Sequence, residues 1–251
     1  MSPTWKRCSL LSILPDFPVK GFIETSFIDW KAQLASVLFS GGCNFRCPFC
    51  HNRNLVLHPE SMEDIPFDYI LGRLKKFRKW VERVVVTGGE PTMHKGLVRA
   101  VETLKRQGFK VKLDTNGSRP DVVKGLVDEG LIDYIAMDVK GPLDAYERWC
   151  GCSVDTKKIR ESIEFILEGR VDYEFRMTLV PFLHREEDAR QVAREIRPAR
   201  RFFLQEFVPR ETLNEKYASI KPFPAEKMKA IRETVAAILE NAPIRRHIHE
   251  S

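Results

Sequence analysis

The chain has 251 residues, an ordinary apolar fraction of 43% and a formal net charge of +6. That length suits one large domain or two small ones, and no apolar run reaches the about 18 residues that a membrane-spanning helix needs. Six cysteines, three of them crowded together, do not make a disulfide framework in a chain this long, which points to a reducing cytoplasm. The stretch Trp5 to Leu14 has a faint likeness to a signal peptide. Its apolar part is short, Pro15 and Asp16 interrupt it and no small-residue cleavage site follows, so it reads as mature protein.

Residues 1–30 stand outside the pattern that follows and are expected to form an N-terminal strand or lid. Leu34 to Phe39 reads as a buried strand that ends at Gly41-Gly42 and delivers a cysteine loop. A helix starts near Pro66, with Phe67, Ile70, Leu71, Leu74 and Phe77 at the 3.6-residue period of an amphipathic stripe. The basic run Arg73 to Arg83 overlaps it and reads as a solvated face rather than a nucleic-acid patch. Val84 to Val86 is a second strand, closed by Gly88-Gly89. Leu97, Val98, Val101 and Leu104 mark a helix that Gly108 stops. Phe109 to Leu113 is the third strand, and Val122, Val123, Leu126 and Val127 stripe the next helix. Tyr134 to Val139 is the fourth strand, followed by a helix through Ile159, Ile163 and Ile166. Tyr173 to Val180 is the fifth, followed by a helix through Val192 and Ile196. Phe202 to Phe207 is the sixth, and a last helix runs through Met228, Ile231, Val235, Ile238 and Leu239. Strands alternating with helices imply a parallel sheet with right-handed crossovers. The expected fold is α/β, a partial (β/α)6 barrel in one domain. Residues 1–30 form its extension, 31–208 its core and 209–251 a C-terminal helical segment.

The loop Cys43-Asn44-Phe45-Arg46-Cys47-Pro48-Phe49-Cys50 has the spacing C-x3-C-x2-C. Three thiolates on a short loop hold three irons of a 4Fe–4S cubane and leave the fourth open, whereas low-potential cubanes normally use four Cys. An open position is what a catalytic metal keeps for a small molecule. The rival is a structural zinc site with His51 or a distant Cys as fourth ligand; zinc sites usually show a second ligand pair, and none stands at that spacing.

The other unusual residues fall at the carboxyl ends of the strands, where parallel α/β sheets bind ligands. Gly88-Gly89-Glu90-Pro91 follows the second strand, Asp114-Thr115-Asn116-Gly117 ends the third and Asp138-Val139-Lys140-Gly141 ends the fourth. Arg176 lies in the fifth and Gln205 in the sixth. These types suit S-adenosylmethionine. Gly88 and Gly89 allow close backbone approach, and Glu90 can meet a cationic amino group. Asp114 or Asn116 can bond ribose hydroxyls, Arg176 and Lys140 can meet a carboxylate, and Phe49 can cover the adenine edge. The bland reading of Asp114 to Gly117 alone is turn chemistry.

The cysteine loop followed by the Gly-Gly-Glu-Pro segment resembles the radical S-adenosylmethionine superfamily. The segments GFIETSFIDW, GCNFRCPFCHN, VVVTGGEPT, LDTNG, DVKGP and EFRMTLVP resemble, more narrowly, the activases of glycyl-radical enzymes. The likeness runs from about Gly21 to Phe207. It is greatest to the longer activases of anaerobic ribonucleoside-triphosphate reductases, and somewhat less to those of pyruvate formate-lyase. This resemblance implies that Cys43, Cys47 and Cys50 hold one 4Fe–4S cluster whose open iron takes the amino and carboxylate groups of S-adenosylmethionine. Gly88, Gly89 and Glu90 match the segment that receives the amino group. Asp114, Thr115 and Asn116, and Asp138 with Lys140, match the third- and fourth-strand segments. The two aspartates match positions that help bind a monovalent cation in the pyruvate formate-lyase activases. Lys140 and Arg176 match cofactor contacts, and Gln205 is a looser match.

The implied activity is that of an anaerobic radical oxidoreductase. A reduced cluster donates one electron to the sulfonium, and the resulting 5′-deoxyadenosyl radical takes a hydrogen atom from a glycine of a partner enzyme, expected to be the anaerobic ribonucleotide reductase. Flavodoxin or ferredoxin is the expected electron donor, with neither membrane nor nucleic acid involved. The alternatives are a radical enzyme acting on another protein, a peptide or a small molecule, and a non-catalytic iron–sulfur or zinc module. Lys31-Ala32-Gln33 replaces the Pro-Gly-Lys-like segment usual in the group, and the eight-cysteine insertion of many lyase activases is absent. Cys150 and Cys152 read as incidental thiols in a loop after the fourth strand, with a redox or auxiliary metal role as the alternative, Cys8 as incidental, and His247 and His249 as parts of a solvated tail. His184, after the fifth strand, lies close enough to the site to watch.

Overall fold

The computed structural model describes residues 15–31 and 33–240. Cys8, His247, His249 and the Trp5 to Leu14 stretch lie outside them. The strands are β1 (Val19–Trp30), β2 (Gln33–Ser40), β3 (Arg83–Gly88), β4 (Lys110–Thr115), β5 (Tyr134–Asp138), β6 (Asp172–Leu179) and β7 (Phe202–Glu206). The helices are α1 (Arg53–Leu57), α2 (Phe67–Phe77), α3 (Leu97–Arg106), α4 (Pro120–Asp128), α5 (Glu147–Cys150), α6 (Thr156–Leu167), α7 (Glu186–Glu195) and α8 (Ala225–Glu240). One mixed sheet takes the strands in chain order from β1 to β7. The six expected strands are β2 to β7, the strands of the incomplete (β/α)6 barrel, and the N-terminal extension supplies β1. Pairing is antiparallel between β1 and β2 and parallel for β2–β3, β3–β4 and β6–β7. No helix among the described residues is long and apolar enough to cross a membrane.

Contacts divide the chain into two compact units. The first comprises Asn54–Asp114, Gly125–Tyr134 and the described part of Met1–Asn44; the second comprises Phe45–Arg53, Thr115–Lys124 and the described part of Ile135–Ser251. In the first, Val37 pairs with Val85, Val84 with Val111 and Val86 with Leu113. These residues are fully buried, which is why the strands read as unbroken apolar runs rather than alternations. Trp30, Ala35, Val37, Val85 and Tyr134 form one core cluster, with Phe39 packed on it. Helix α3 buries Leu97, Ala100, Val101 and Leu104, each large side chain contributing about 1.5–3 kcal/mol. Val98, expected on that stripe, is 37% exposed at its edge. Gly108 ends the helix as expected: its N–H donates to the Lys105 carbonyl (2.8 Å) and Phe109 N–H to the Leu104 carbonyl (3.1 Å), a Schellman termination. In the basic run, Arg73 pairs with Glu24, Arg78 donates to the Gly108 carbonyl (2.7 Å), and Trp80 is exposed.

In the second unit β6 and β7 pair Arg176 with Phe203 and Thr178 with Gln205. Val139 N–H, just past β5, donates to the Arg176 carbonyl (2.8 Å). Helix α6 starts on Asp155, whose carboxylate accepts Lys157 N–H (3.1 Å), an N-cap. It buries Ile159, Ile163 and Ile166 as expected. Helix α8 buries Met228, Ile231 and Val235. The short helices α1 and α5 are the elements that hydrophobic period did not reveal. Both are under six residues, too short to show a stripe.

Candidate functional site

The first unit carries the root of the cysteine loop. Beyond Ser40, the Gly41 N–H donates to the Pro18 carbonyl (3.3 Å) and the Gly42 N–H to the Leu55 carbonyl (2.6 Å). The Gly41 carbonyl accepts Nε2–H of His94 (2.7 Å). The Gly-Gly-Glu segment docks on the same backbone: Gly89 N–H donates to the Ser40 carbonyl (2.9 Å) and Glu90 N–H to the Gly42 carbonyl (2.8 Å). A Cβ on Gly89 would land on the Gly42 carbonyl oxygen. One on Gly88, at φ 117°, would land on the Ser40 backbone. The close approach expected at these glycines is present toward the chain's own backbone beside Cys43. Glu90 is buried, and its Oε1 accepts the Thr92 N–H (3.1 Å) and the Thr92 hydroxyl (2.5 Å). This carboxylate therefore caps the turn Pro91–Met93. Asp114 lies 3.5 Å from Nζ of the buried Lys112, which also donates to the Asp29 carbonyl (2.6 Å) and stands over the Tyr134 ring (5.4 Å).

The second unit holds Cys47, Phe49, Cys50, Thr115, Asn116, Asp138, Lys140, Arg176 and Gln205. The Cys50 N–H donates to the Cys47 carbonyl (3.0 Å), closing a turn that fixes both thiols. Residues 207–214 bracket it: Leu213 N–H donates to the Cys50 carbonyl (3.0 Å) and Asn214 N–H to the Pro48 carbonyl (2.9 Å). His51 stacks on Phe207 and donates Nε2–H to the Val208 carbonyl (2.8 Å), so the ring expected by the zinc reading is engaged through that nitrogen. Among the described residues, no three His, Cys, Asp or Glu side chains are grouped as around a single metal ion.

Asp138 is the electrostatic centre of this unit's site. Its Oδ1 accepts Arg176 Nε–H (2.9 Å) and its Oδ2 accepts Lys140 Nζ–H (3.2 Å). Burial alone would raise this carboxyl, but the guanidinium and ammonium outweigh it and hold the group at about 2. Burial opposes the Lys140 charge too, yet Asp138 and the Cys47 sulfur hold its proton firmly. In this structure Arg176 and Lys140 both meet the Asp138 carboxylate. The Cys47 thiol is drawn toward thiolate by a hydrogen bond from Cys150 and by the Lys140 charge; burial pushes Cys50 up.

Cys150 corrects an expectation. It ends helix α5, fully buried, instead of standing incidentally in a loop. Its carbonyl accepts the Arg46 N–H (2.7 Å) and its thiol meets Cys47. Gly151, at φ 66°, permits this contact because a Cβ there would strike the Arg46 carbonyl. Phe49 is buried with its ring edge-on to His184 (5.9 Å). Asn116 accepts Ser118 N–H (3.0 Å) and Thr115 accepts Gly117 N–H (3.1 Å), the turn bonds weighed for this segment. Gln205 is exposed and accepts the Thr178 hydroxyl (3.4 Å). Sequence reasoning missed His94, Tyr146, Cys150 and the 207–214 segment as partners. Only Cys150 had a signal, its C-x-C spacing with Cys152.

The profile of the radical SAM superfamily matches residues 37–196. A relative from Methanocaldococcus jannaschii, named as a candidate glycyl-radical enzyme activating enzyme, is 31% identical over 240 residues, covering 90% of this chain and 95% of that protein. The 7-carboxy-7-deazaguanine synthase of Neisseria meningitidis is 32% identical over 132 residues, 52% of this chain and 56% of the synthase. The crystal structure of Streptococcus suis SuiB bound to S-adenosylmethionine superposes with a TM-score of 0.59 at 17% identity, over 79% of this chain and 45% of SuiB; that likeness concerns the fold alone. With its cysteine loop inside the profile and a relative aligned along nearly its whole length, this chain belongs to the radical SAM superfamily.

Proposed function

We propose that the protein is an activase that installs a glycyl radical on a partner enzyme, with an anaerobic ribonucleotide reductase as that partner. The observation that carries this reading is the alignment, over 95% of its length, with a relative named for glycyl-radical enzyme activation. The residues fit the cofactors that the family implies. Cys43, Cys47 and Cys50 would hold three irons of a 4Fe–4S cluster, and the Cys47 sulfur already carries the hydrogen bond and neighbouring cation that favour thiolate. When bound, that cluster and S-adenosylmethionine supply one-electron reductive cleavage of the sulfonium and a 5′-deoxyadenosyl radical. The chain's part is to bind, orient and exclude water. Lys140, Arg176 and Asp138 form a charged set that would orient the amino-acid end of the cofactor. Gly88, Gly89 and Glu90 would hold the root of the cysteine loop, and Asp114, Thr115, Asn116, Phe49 and Gln205 would line the cofactor's remainder. A monovalent cation bound near the cofactor belongs to the same proposal. The setting would be an anaerobic cytoplasm, with flavodoxin or ferredoxin as electron donor.

A second reading, a radical enzyme acting on a small molecule, is favoured by the relative that is a deazaguanine synthase. The test uses anaerobically reconstituted protein, expected to hold about four irons and four sulfides. With a reductant and the cognate reductase, the expected products are 5′-deoxyadenosine and a glycine-centred doublet in the partner's electron paramagnetic resonance spectrum. Deuterium on the partner's glycine Cα should pass into 5′-deoxyadenosine. Label arriving from a small molecule instead, with no protein radical, would support the second reading, and stoichiometric zinc with no iron would defeat both.

A further inference from the structure

We infer that His184 is a positioning residue that sets the Cys47–Cys50 turn against Lys140. This rests on the reading of the three cysteines as cluster ligands and of Lys140 as a cofactor contact. The imidazole is 2% exposed. Its Nδ1 accepts the Val180 N–H (3.1 Å), so in a neutral ring the proton sits on Nε2, which lies 2.8 Å from the Lys140 carbonyl and donates to it. One tautomer satisfies both bonds, and a doubly protonated ring would lose the first. One face of the ring stacks on Trp149 (5.9 Å between centroids, 13° between planes). Phe49, the residue before Cys50, meets it edge-on at 5.9 Å. The same Lys140 gives its N–H to the Tyr146 hydroxyl (3.1 Å) and its ammonium to Asp138 (3.2 Å). The Trp149 ring also fills the space where a Cβ on Gly141 would lie. A single neutral imidazole thus joins the end of β6, the cysteine loop, helix α5 and the residue that follows β5 by two positions.

A plainer role competes. His184 closes the turn after β6, with its own N–H on the Val180 carbonyl (2.8 Å), and that turn holds the exposed Phe182 in the left-handed region at φ 66°. A mere staple for this strained turn would change stability and nothing else, whereas a positioning residue would change how the cluster environment responds to the cofactor.

The experiment compares full-length, anaerobically reconstituted parent with His184→Gln, His184→Asn and His184→Phe. Gln can still donate toward Lys140, Asn can still accept from Val180, and Phe keeps the stacking but loses both bonds. The probe is S-adenosylmethionine, read by its Kd and by the change it causes in the g-values of the reduced cluster. His184→Phe should keep its iron, bind about tenfold more weakly and lose the g-value change, while His184→Gln stays within about threefold of the parent. Independently of any cofactor, 15N resonances of the cluster-free parent near pH 7 should show the Nε2–H tautomer. The inference is overturned by an Nδ1–H or charged ring, by His184→Asn binding as well as or better than His184→Gln, or by variants that lose only thermal stability. A parent that takes up no iron or binds no S-adenosylmethionine overturns the underlying reading and this inference with it; a competent parent with an indifferent His184→Phe overturns this inference alone.

Discussion

The two ends of the cysteine loop are held by different physics. At its root in the first unit, Ser40 to Cys43 is fixed by backbone bonds to Pro18, Leu55, Gly89 and Glu90, with glycines wherever a Cβ would intrude. At its far end in the second unit, Cys47 to Cys50 is fixed by side chains as well: the Cys150 thiol, the Asp138–Lys140–Arg176 charges, and the Phe49–His184–Trp149 rings. A backbone dock tolerates no added atom but makes few demands on charge. A side-chain network tolerates small changes in shape but depends on protonation and on every partner. The two ends should therefore fail in different ways.

The largest effect is expected at the root. Gly89→Ala places a methyl on the Gly42 carbonyl oxygen, and the backbone can relieve that clash only by giving up its docking bonds. A loss of about 3 kcal/mol or more in urea unfolding is expected. A variant as stable as the parent would break the distinction between the two ends.

Next comes pH. Burial pushes His184 down to about 4 from 6.5, so the folded protein keeps the ring neutral while the unfolded chain protonates it near 6.5. Its contribution is complete above pH 6.5 and is lost as pH falls toward 4, by up to about 3 kcal/mol. Asp138, held at about 2 against an ordinary 3.8, gives up its share only lower, as pH falls from 3.8 through about 2. Unfolding measured from pH 7 to pH 4 should slope more steeply in the parent than in His184→Phe; equal slopes would remove His184 from the account.

Asp138→Asn should cost about 1–2 kcal/mol, because it leaves the Lys140 and Arg176 charges facing one another without a carboxylate. The figure is modest because the Asp138 side chain is 34% exposed. Adding Arg176→Met to that variant should recover part of the loss, and strict additivity in the double-mutant cycle would show that the pair is not coupled. The smallest effect is expected for Cys150→Ala, about 1 kcal/mol for a fully buried sulfur removed. A null result in urea unfolding would show that α5 does not buttress the cysteine turn.

What was legible in the residues follows the same division. Strands β2 to β7 and the helices with three or more apolar turns were readable, because burial imposes a period or an unbroken apolar run. The three-thiol loop was readable from its spacing. The need for glycine at positions 88 and 89 was readable as well, but its cause was not. Close approach has the same residue signature whatever the neighbour, and the tertiary structure shows the Gly42 carbonyl beside Gly89. Glu90 and Asn116 likewise carry side chains suited to a ligand, and both are bonded to their own turns.

The amino-acid sequence by itself determined the α/β architecture, the three-thiol loop and the superfamily, because periodic burial and ligand spacing are local and survive without coordinates. Only the tertiary structure decided that Cys150 meets Cys47, 103 residues earlier in the chain, that Arg176 and Lys140 share Asp138, and that His184 reaches both Phe49 and Lys140. These pairings join distant segments through the folding of β5, α5 and β6. Neither the C-x-C spacing of Cys150 nor the place of His184 after β6 tells by itself which partner each side chain meets.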